Sequence, residues 1–178
     1  MKLIPTLLPG CFDCVPVVRR DSRGAFVKIF QSSVYRLAGL QDAFSEIYYT
    51  VSSRNVLRGL HFQTPPYAHA KLICCVEGAV WDVALDLRRG SPTYGSFHAG
   101  ELSANKSNAV LLVQGIAHGF LTLSDQATMM YHVTTEYNQA HDEGILWNSA
   151  GIPWPCPNPI LSERDKMFVP FSKYVSPF

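Results

Sequence analysis

The sequence predicts an all-β fold, an antiparallel jelly roll with a few short helices. Twelve glycines and twelve prolines among 178 residues favour many turns and therefore many short elements. Segments rich in β-branched and aromatic residues recur at intervals of about 8–12 residues, separated by glycine, asparagine and serine. Strands at that spacing form a sandwich or a barrel, and an antiparallel jelly roll is the natural closed form.

Eight segments are predicted as strands and one as a helix. The predicted strands are residues 47–53, 56–63, 71–76, 79–87, 96–102, 109–113, 120–123 and 128–134, and the predicted helix is residues 33–44. Alternation along residues 56–63 puts Gly59 and His61 on one face and Arg58 on the other. Glu77 and Gly78 separate two predicted strands and indicate a hairpin turn. The last 20 or so residues, rich in proline and serine, are expected to form a loop and tail.

The composition excludes several classes of protein. Hydrophobic residues make up 47% of the chain and aromatic residues 12%, so a disordered chain is excluded. The formal net charge is +1, which gives no basic field to attract nucleic acid or a membrane surface. No stretch is apolar for long enough to span a bilayer. At 178 residues the whole chain is expected to form one domain.

The five cysteines do not indicate a disulfide framework, because their number is odd and the chain has its own large core. Cys11 and Cys14 have the spacing of half a zinc site, but no second pair follows. Cys74 and Cys75 are adjacent in a strand and are expected to face opposite sides. We interpret all five as structural residues of a protein in the reducing cytoplasm. Pro5 and Pro9 interrupt the first apolar run, which is unlike a secretory signal.

Four side chains stand out as chemical candidates. His61 lies in a strand beside Arg58, and His118 lies in a segment between two glycines that leave room for a ligand. Lys71 begins a strand that is otherwise purely apolar, and Tyr131 occupies the middle of a strand. Taken one at a time, each also fits an ordinary structural role.

Other site types lack their signals in the sequence. A metal site on His69, Glu77 and His118 is conceivable, but the paired-histidine spacing of such sites is missing. The chain has no G-x-S-x-G motif of a serine hydrolase and no glycine-rich phosphate loop. Any phosphate must therefore meet side chains such as Arg23, Arg58 and Lys71.

Several sequence strings occur together in one order. They are DSRG (21–24), VLRGLHFQ (56–63), KL (71–72), DVALDLR (82–88), SPTYG (91–95), ELS (101–103), GIAHGF (115–120), EGILWN (143–148) and LSERD (161–165). In this combination, from about residue 4 to residue 165, the chain resembles the dTDP-4-dehydrorhamnose 3,5-epimerase family of sugar-nucleotide epimerases.

This resemblance implies a cupin-type jelly roll without metal or cofactor, usually a homodimer that exchanges an N-terminal segment. It implies a nucleoside-diphosphate 4-keto sugar as substrate, linked to dTDP, CDP or GDP. A ketone at C4 acidifies the C–H bonds at C3 and C5, because the carbanion is delocalised as an enolate. By resemblance His61 is the base, Asp165 is its paired carboxylate, Lys71 stabilises the enolate oxygen, and Tyr131 is the acid on the opposite face.

The resemblance also implies a set of substrate-binding residues. Arg58 and His118 match positions that meet the diphosphate and the sugar, and Arg23 matches a nucleotide contact made from the neighbouring subunit. Tyr137 matches an aromatic residue near the base, Glu143 matches a further binding position, and Arg164 replaces a lysine of the family pattern.

Three positions depart from that pattern. Lys28 replaces an acid that contacts the base, Glu46 replaces a glutamine, and Tyr48 replaces a small amide. These changes lie at one end of the expected site, so we hypothesise an altered nucleotide or a longer sugar. The alternatives are a non-catalytic or metal-binding cupin that binds sugar, and a related 3,4-ketoisomerase.

Overall fold

Two antiparallel β-sheets face each other and enclose the main core, in a computed structural model that describes residues 1–178. The six-stranded sheet has the spatial order β1 (Lys2–Pro5), β2 (Cys11–Val15), β10 (Ala109–Leu112), β7 (Lys71–Glu77), β12 (Gln126–Val133) and β5 (Glu46–Ser53). The five-stranded sheet has the order β13 (Asp142–Gly144), β6 (Leu57–Gln63), β11 (Ile116–Thr122), β8 (Ala79–Asp86) and β9 (Phe97–Ser103). Every pairing between the strands of these two sheets is antiparallel, which confirms the predicted fold class.

The remaining elements are short. They are the hairpin β3 (Val17–Asp21) and β4 (Gly24–Lys28), the helices α1 (Ser32–Leu37) and α2 (Glu163–Lys166), and the 3₁₀ turns Gln139–His141 and Phe171–Lys173. The β3–β4 hairpin forms a separate two-stranded sheet, and its residues are nearly all exposed. None of β1 to β4, which have four or five residues each, is predicted from the sequence.

Buried apolar side chains cover both faces of each sheet. The cluster between the sheets includes Ile73, Cys75, Ala84, Phe120 and Met129. The alternate residues of the same strands point away from this core and form two outer clusters. Val83 and Leu85 pack outside the five-stranded sheet, and Leu72 and Cys74 pack outside the six-stranded sheet. Cys74 and Cys75 therefore face opposite sides of β7 as predicted, and all five thiols are free.

The predicted hairpin at Glu77 and Gly78 is wrong. β7 pairs with β10 and β12, whereas β8 pairs with β11 and β9, so the chain passes here from one sheet to the other. Gly78 has a φ of +74°, and a Cβ on it would lie 2.1 Å from the carbonyl oxygen of Gln126. Glycine is therefore required at this crossing, although the strands that flank it are not partners.

The predicted helix is too long. Helix α1 has six residues instead of twelve, because Gly39 adopts a left-handed conformation with a φ of +70°. The N–H of Gly39 donates to the carbonyl of Arg36 and that of Leu40 to the carbonyl of Tyr35. This is the Schellman pattern that ends a helix at glycine.

The C-terminal residues are more than a loose tail. Phe171, Tyr174 and Phe178 pack against the cluster outside the five-stranded sheet. The carbonyl of Phe178 accepts a hydrogen bond of 2.9 Å from the backbone N–H of Arg89. The segment also supplies α2, which lies against β6 and carries Asp165.

Candidate active site

A cavity of about 360 Å³ opens at one end of the space between the sheets. Here the inward-facing positions, which are apolar in the rest of the core, carry polar and aromatic side chains. Those among its sixteen lining residues that the sequence analysis named as site residues are Glu46, Tyr48, Arg58, His61, Lys71, His118, Tyr131, Tyr137 and Arg164. Residues from five strands, one loop and helix α2 are thus brought to one place.

A bulge in β6 aims two of these side chains into the cavity. His118 pairs with His61, but Phe120 pairs with Arg58, so β6 has one extra residue between these positions. Arg58 and His61 both line the cavity, which corrects the prediction that they lie on opposite faces. Gly59 has a φ of +137°, and a Cβ on it would lie 2.5 Å from the Cα of Gly119. Gly119, the glycine beside His118, therefore allows the backbones of β6 and β11 to approach each other closely.

His61 is backed by a carboxylate. Its Nε2 lies 2.9 Å from Oδ1 of Asp165, whose Oδ2 accepts a hydrogen bond of 3.1 Å from the N–H of Gly59. Burial raises the pKa of Asp165, but the hydrogen bond and charge of His61, together with hydrogen bonds to Gly59 and Ser162, outweigh burial, and the net pKa is lowered. An ionised Asp165 can only accept, so Nε2 of His61 carries the proton and Nδ1 keeps its lone pair. Ser162 caps α2 by accepting from the N–H of Asp165, which holds the carboxylate in place.

Lys71 is a buried ammonium close to this pair. It is only 6% exposed, and its Nζ donates to the carbonyl of His61 at 3.1 Å. No carboxylate lies within ion-pair distance, and burial lowers the pKa of Lys71 to about 8. An ammonium has three N–H donors, so two remain available for a ligand.

Tyr131 is held by aromatic contacts. Its ring stacks on that of Tyr48 at a centroid distance of 4.8 Å and meets His118 edge to face at 5.9 Å. Burial raises the pKa of Tyr131, so its phenol stays protonated and remains a proton donor. The cavity therefore contains an imidazole with a lone pair, a cation and a neutral acid.

Asp82, for which no role is predicted from the sequence, partners His118. Oδ2 of Asp82 lies 2.6 Å from Nε2 of His118, and both side chains are buried. An acid in the middle of the apolar strand of residues 79–87 was a usable signal, because a buried carboxylate needs a partner.

Two arginines and two further residues line the cavity mouth. Arg58 donates to Oγ of Ser52 at 2.9 Å, and Arg164 forms an ion pair of 2.7 Å with Asp142. That ion pair also raises the pKa of Arg164. Glu46 accepts a hydrogen bond of 2.8 Å from the backbone N–H of Tyr137. The side chains of Arg58 and Arg164 are therefore both held in place at the cavity by contacts with the protein.

Gln63 and His69 also line the cavity, and the amide of Gln63 is engaged in hydrogen bonds with the protein. Nε2 of Gln63 donates to the carbonyls of Tyr67 and Glu136, and its Oε1 accepts from the N–H of Asn138. Burial, followed by the charge of Lys71, lowers the pKa of His69 to about 3, so it is neutral. We therefore interpret Gln63 as a structural residue that links the loop containing Tyr67 to the loop containing Glu136 and Asn138.

Three predicted binding residues do not line this cavity. Arg23 and Lys28 lie on the β3–β4 hairpin, where Arg23 forms an exposed ion pair of 2.7 Å with Asp21. Glu143 accepts a hydrogen bond of 2.8 Å from the hydroxyl of Tyr174. Within a single chain these three side chains are separate from the candidate site.

The residues of the metal alternative are not brought together. His69 lines the cavity, whereas Glu77 ends β7 and accepts a hydrogen bond from Thr128. No group of three or more histidine, cysteine, aspartate or glutamate side chains has the arrangement of a metal site.

None of the helices is both long and apolar enough to cross a bilayer.

Comparison with known proteins adds independent observations. The family model described as dTDP-4-dehydrorhamnose 3,5-epimerase matches residues 5–173. The enzyme of that name from Shigella flexneri is 40% identical over 168 residues, which cover 93% of each chain. The dTDP-4-dehydrorhamnose 3-epimerase of Streptomyces niveus is 38% identical over 169 residues, covering 93% of this chain and 82% of that protein.

A solved structure agrees with the fold over almost the whole length. The crystal structure of dTDP-4-dehydrorhamnose 3,5-epimerase from Bacillus anthracis with TDP and PPi bound has a TM-score of 0.90 at 37% identity, covering 94% of this chain and 97% of that one. The fold is thus the cupin-type jelly roll of these enzymes. The chain belongs to the dTDP-4-dehydrorhamnose 3,5-epimerase family and is an isomerase that acts on sugar nucleotides.

Proposed function

We propose that the protein inverts C3, C5 or both in a nucleoside-diphosphate 4-keto-6-deoxy sugar through an enolate. The observation that carries the proposal is the His61–Asp165 pair, 2.9 Å apart, in the wall of a cavity that Lys71 and Tyr131 also line. A protein that only bound a sugar would not need a base, a cation and an acid in one cavity.

The proposed reaction begins when Nδ1 of His61 removes a proton from the carbon next to the ketone. The C–H electron pair forms the C=C bond of the enolate, and the carbonyl π electrons move to O4. Lys71 stabilises the negative charge on O4, and Asp165 stabilises the imidazolium of His61. Tyr131 then delivers a proton to the opposite face of the same carbon. His61 returns its proton to solvent and Tyr131 regains one, so the net reaction is an isomerisation without redox change.

We propose a dTDP-linked substrate, because the relatives named above act on dTDP sugars and the Bacillus anthracis structure contains TDP. Arg58 and Arg164 are the cations at the cavity that suit a diphosphate. Glu46 and Tyr48 have partners within the chain, Tyr137 and Tyr131, so their departure from the family pattern does not require a different base. Titration calorimetry with dTDP, CDP and GDP tests this; tighter binding of CDP or GDP would support the altered-nucleotide hypothesis.

We further propose a homodimer in which the β3–β4 hairpin of one subunit reaches the cavity of the other. In support, the hairpin is exposed at nearly every residue and carries Arg23 and Lys28 away from the cavity of its own chain. Edge strand β5 also exposes an apolar row: Ile47 is 61% exposed, Tyr49 66% and Val51 48%. A second copy would cover this row and bring a cation to the nucleotide.

Cytoplasmic localisation remains part of the proposal. In support, Cys11, Cys14, Cys74 and Cys75 are buried free thiols, which suit a reducing compartment.

Solvent exchange tests the proposed reaction. The protein is incubated in deuterated water with a dTDP-linked 4-keto-6-deoxy hexose, and NMR follows deuterium at C3 and C5. We expect label at one or both carbons, no exchange with His61→Ala, and exchange without inversion with Tyr131→Phe. His98→Ala, which removes a histidine that pairs with Asp13 outside the cavity, should behave like the wild type. Wild-type exchange rates in His61→Ala would contradict the assigned base.

A further inference from the structure

Tyr48 and Tyr131 form a direct cross-strand pair. The two residues lie opposite each other on β5 and β12, and their rings are nearly parallel, with an interplanar angle of 15° at 4.8 Å. Both side chains line the cavity. Stacked aromatic pairs at such distances attract each other beyond the contribution of the area that they bury.

The ring of Tyr131 therefore has aromatic neighbours from both sheets. Tyr48 contributes its face from the six-stranded sheet, and His118 meets Tyr131 at 73° from the five-stranded sheet. His118 is itself held by the 2.6 Å contact with Asp82. Together these contacts restrict both the tilt and the rotation of the Tyr131 ring.

These ring contacts matter because the phenol of Tyr131 makes no side-chain hydrogen bond of normal geometry. The hydroxyl of Thr50 lies near enough to act on the phenol and lower its pKa, but it is not placed within normal hydrogen-bond geometry of any partner. The direction of the Tyr131 hydroxyl is therefore set by where its ring is packed. Loss of one packing neighbour should let the hydroxyl move.

We propose that Tyr48 is a positioning residue for Tyr131, and that its stacked ring sets the fraction of enolates that are protonated on the inverting face. This inference rests on the proposed function. A base on one face can return a proton with retention, whereas only a correctly placed acid inverts the carbon. A misplaced acid therefore lowers inversion without stopping proton removal.

The hydroxyl of Tyr48 does not carry the effect. Burial, followed by the charge of Glu46, raises the pKa of Tyr48 to about 12, so the side chain is neutral over the working range. A neutral ring that stacks on its neighbour acts by contact. Phenylalanine preserves that contact, which gives a conservative variant for the test.

The test measures two rates in deuterated water with a dTDP-linked 4-keto-6-deoxy hexose: deuterium uptake with retention, and inversion. We expect Tyr48→Ala and Tyr48→Leu to lower the ratio of inversion to retentive exchange by roughly tenfold, because a displacement of about 1 Å is costly to catalysis. The rate of retentive exchange should fall less than the rate of inversion, because His61, Asp165 and Lys71 are unchanged in these variants. Tyr48→Phe should restore the wild-type ratio.

Tyr94→Ala is the matched control, since Tyr94 is also 38% exposed and packs on Phe171 away from the cavity. A wild-type ratio in both Tyr48→Ala and Tyr48→Leu would overturn the proposal, as would equal losses of exchange and inversion. A loss in Tyr48→Phe as large as in Tyr48→Ala would assign the effect to the hydroxyl and overturn it too. Melting temperatures show whether each variant is folded. If the wild type shows neither exchange nor inversion, the proposed function itself fails.

Discussion

Oδ1 of Asp165 lies 2.9 Å from Nε2 of His61, although 104 residues separate them in the chain. The same carboxylate accepts from the N–H of Gly59 at 3.1 Å, so it joins the bulge of β6 to helix α2. The pair therefore couples the position of the proposed base to the fold of the C-terminal segment.

Replacing Asp165 with asparagine should remove the base without removing the imidazole. The amide NH₂ of asparagine would face Nε2 and favour the tautomer with the proton on Nδ1, which has no lone pair for the substrate. We expect kcat to fall by about 10³-fold or more, by analogy with the same change in other His–Asp pairs.

Deuterium exchange and inversion are both measured in Asp165→Asn, because loss of the base should lower them equally. Circular dichroism reports whether α2 and the sheets are retained. Glu163→Gln is the control, since Glu163 is an exposed acid of the same helix that pairs with Lys166 and not with His61. If Asp165→Asn lowered inversion alone, the carboxylate would be acting on the acid and not on His61.

Removing the carboxylate of Asp82 should destabilise the protein. In Asp82→Ala the buried N–H of His118 loses its acceptor, and we expect the free energy of unfolding to fall by about 2–3 kcal/mol. Asp82→Asn keeps an acceptor oxygen at the same place and should lose less than half as much. Urea unfolding measures both values, and equal losses in the two variants would mean that packing, not the hydrogen bond, explains them.

Lys71 should impose an upper pH limit on kcat/KM. Burial lowers its pKa to about 8, so above that pH the free enzyme loses the cation that the enolate needs. The expected result is a decline in kcat/KM above pH 8. In Lys71→Arg the guanidinium keeps its charge, so the decline should vanish whatever the absolute activity of the variant.

The same pKa affects stability. The ordinary pKa of lysine is 10.5, so between pH 8 and 10.5 the unfolded chain holds a proton that folded Lys71 has lost. The free energy of unfolding contributed by Lys71 therefore rises with pH across this interval. Denaturant titrations at several pH values should therefore show a free energy of unfolding that rises more steeply with pH in the wild type than in Lys71→Met over this interval.

The kinetic prediction has its own contrary outcome. If the decline in kcat/KM near pH 8 persisted in Lys71→Arg, a group other than Lys71 would be responsible for it.

The sequence allowed the strand framework to be predicted because its signals are local. All eight predicted strands are present, with ends displaced by a few residues. β11 begins at Ile116 and not at residue 120, so His118 and Gly119 lie within the strand. The local sequence does not determine which sheet a strand joins. A turn such as Glu77–Gly78 is compatible with a hairpin and with a crossing between two sheets.

The site was less accessible to sequence reasoning. The bulge that turns Arg58 and His61 to one side depends on how closely Gly59 approaches Gly119 on another strand. The contact of Asp82 with His118 depends on strand register, and that of Tyr48 with Tyr131 on the pairing of β5 with β12. The pairing of Asp165 with His61 was expected only from the family resemblance. The two residues are 104 positions apart, and no local sequence pattern links them.

Subunit mixing tests whether Arg23 acts on a neighbouring cavity. Each proposed site combines His61 of one chain with Arg23 of the other. Arg23→Ala and His61→Ala homodimers should both be nearly inactive, the first through a raised KM and the second through loss of the base. A dimer that contains one chain of each variant holds one complete site, since the His61→Ala chain still supplies Arg23 to its partner.

Equal amounts of the two variants, unfolded together and refolded, should therefore recover about a quarter of wild-type activity, because half of the dimers are mixed and each has one intact site of two. If Arg23 served the cavity of its own chain, no mixed dimer would hold a complete site and mixing would restore nothing. Arg54→Ala in place of Arg23→Ala is the control, because Arg54 is an exposed arginine that pairs with Asp125 away from the hairpin. Size-exclusion chromatography with light scattering confirms that each refolded sample is dimeric, so that a failure to recover activity reports on the position of Arg23 and not on assembly.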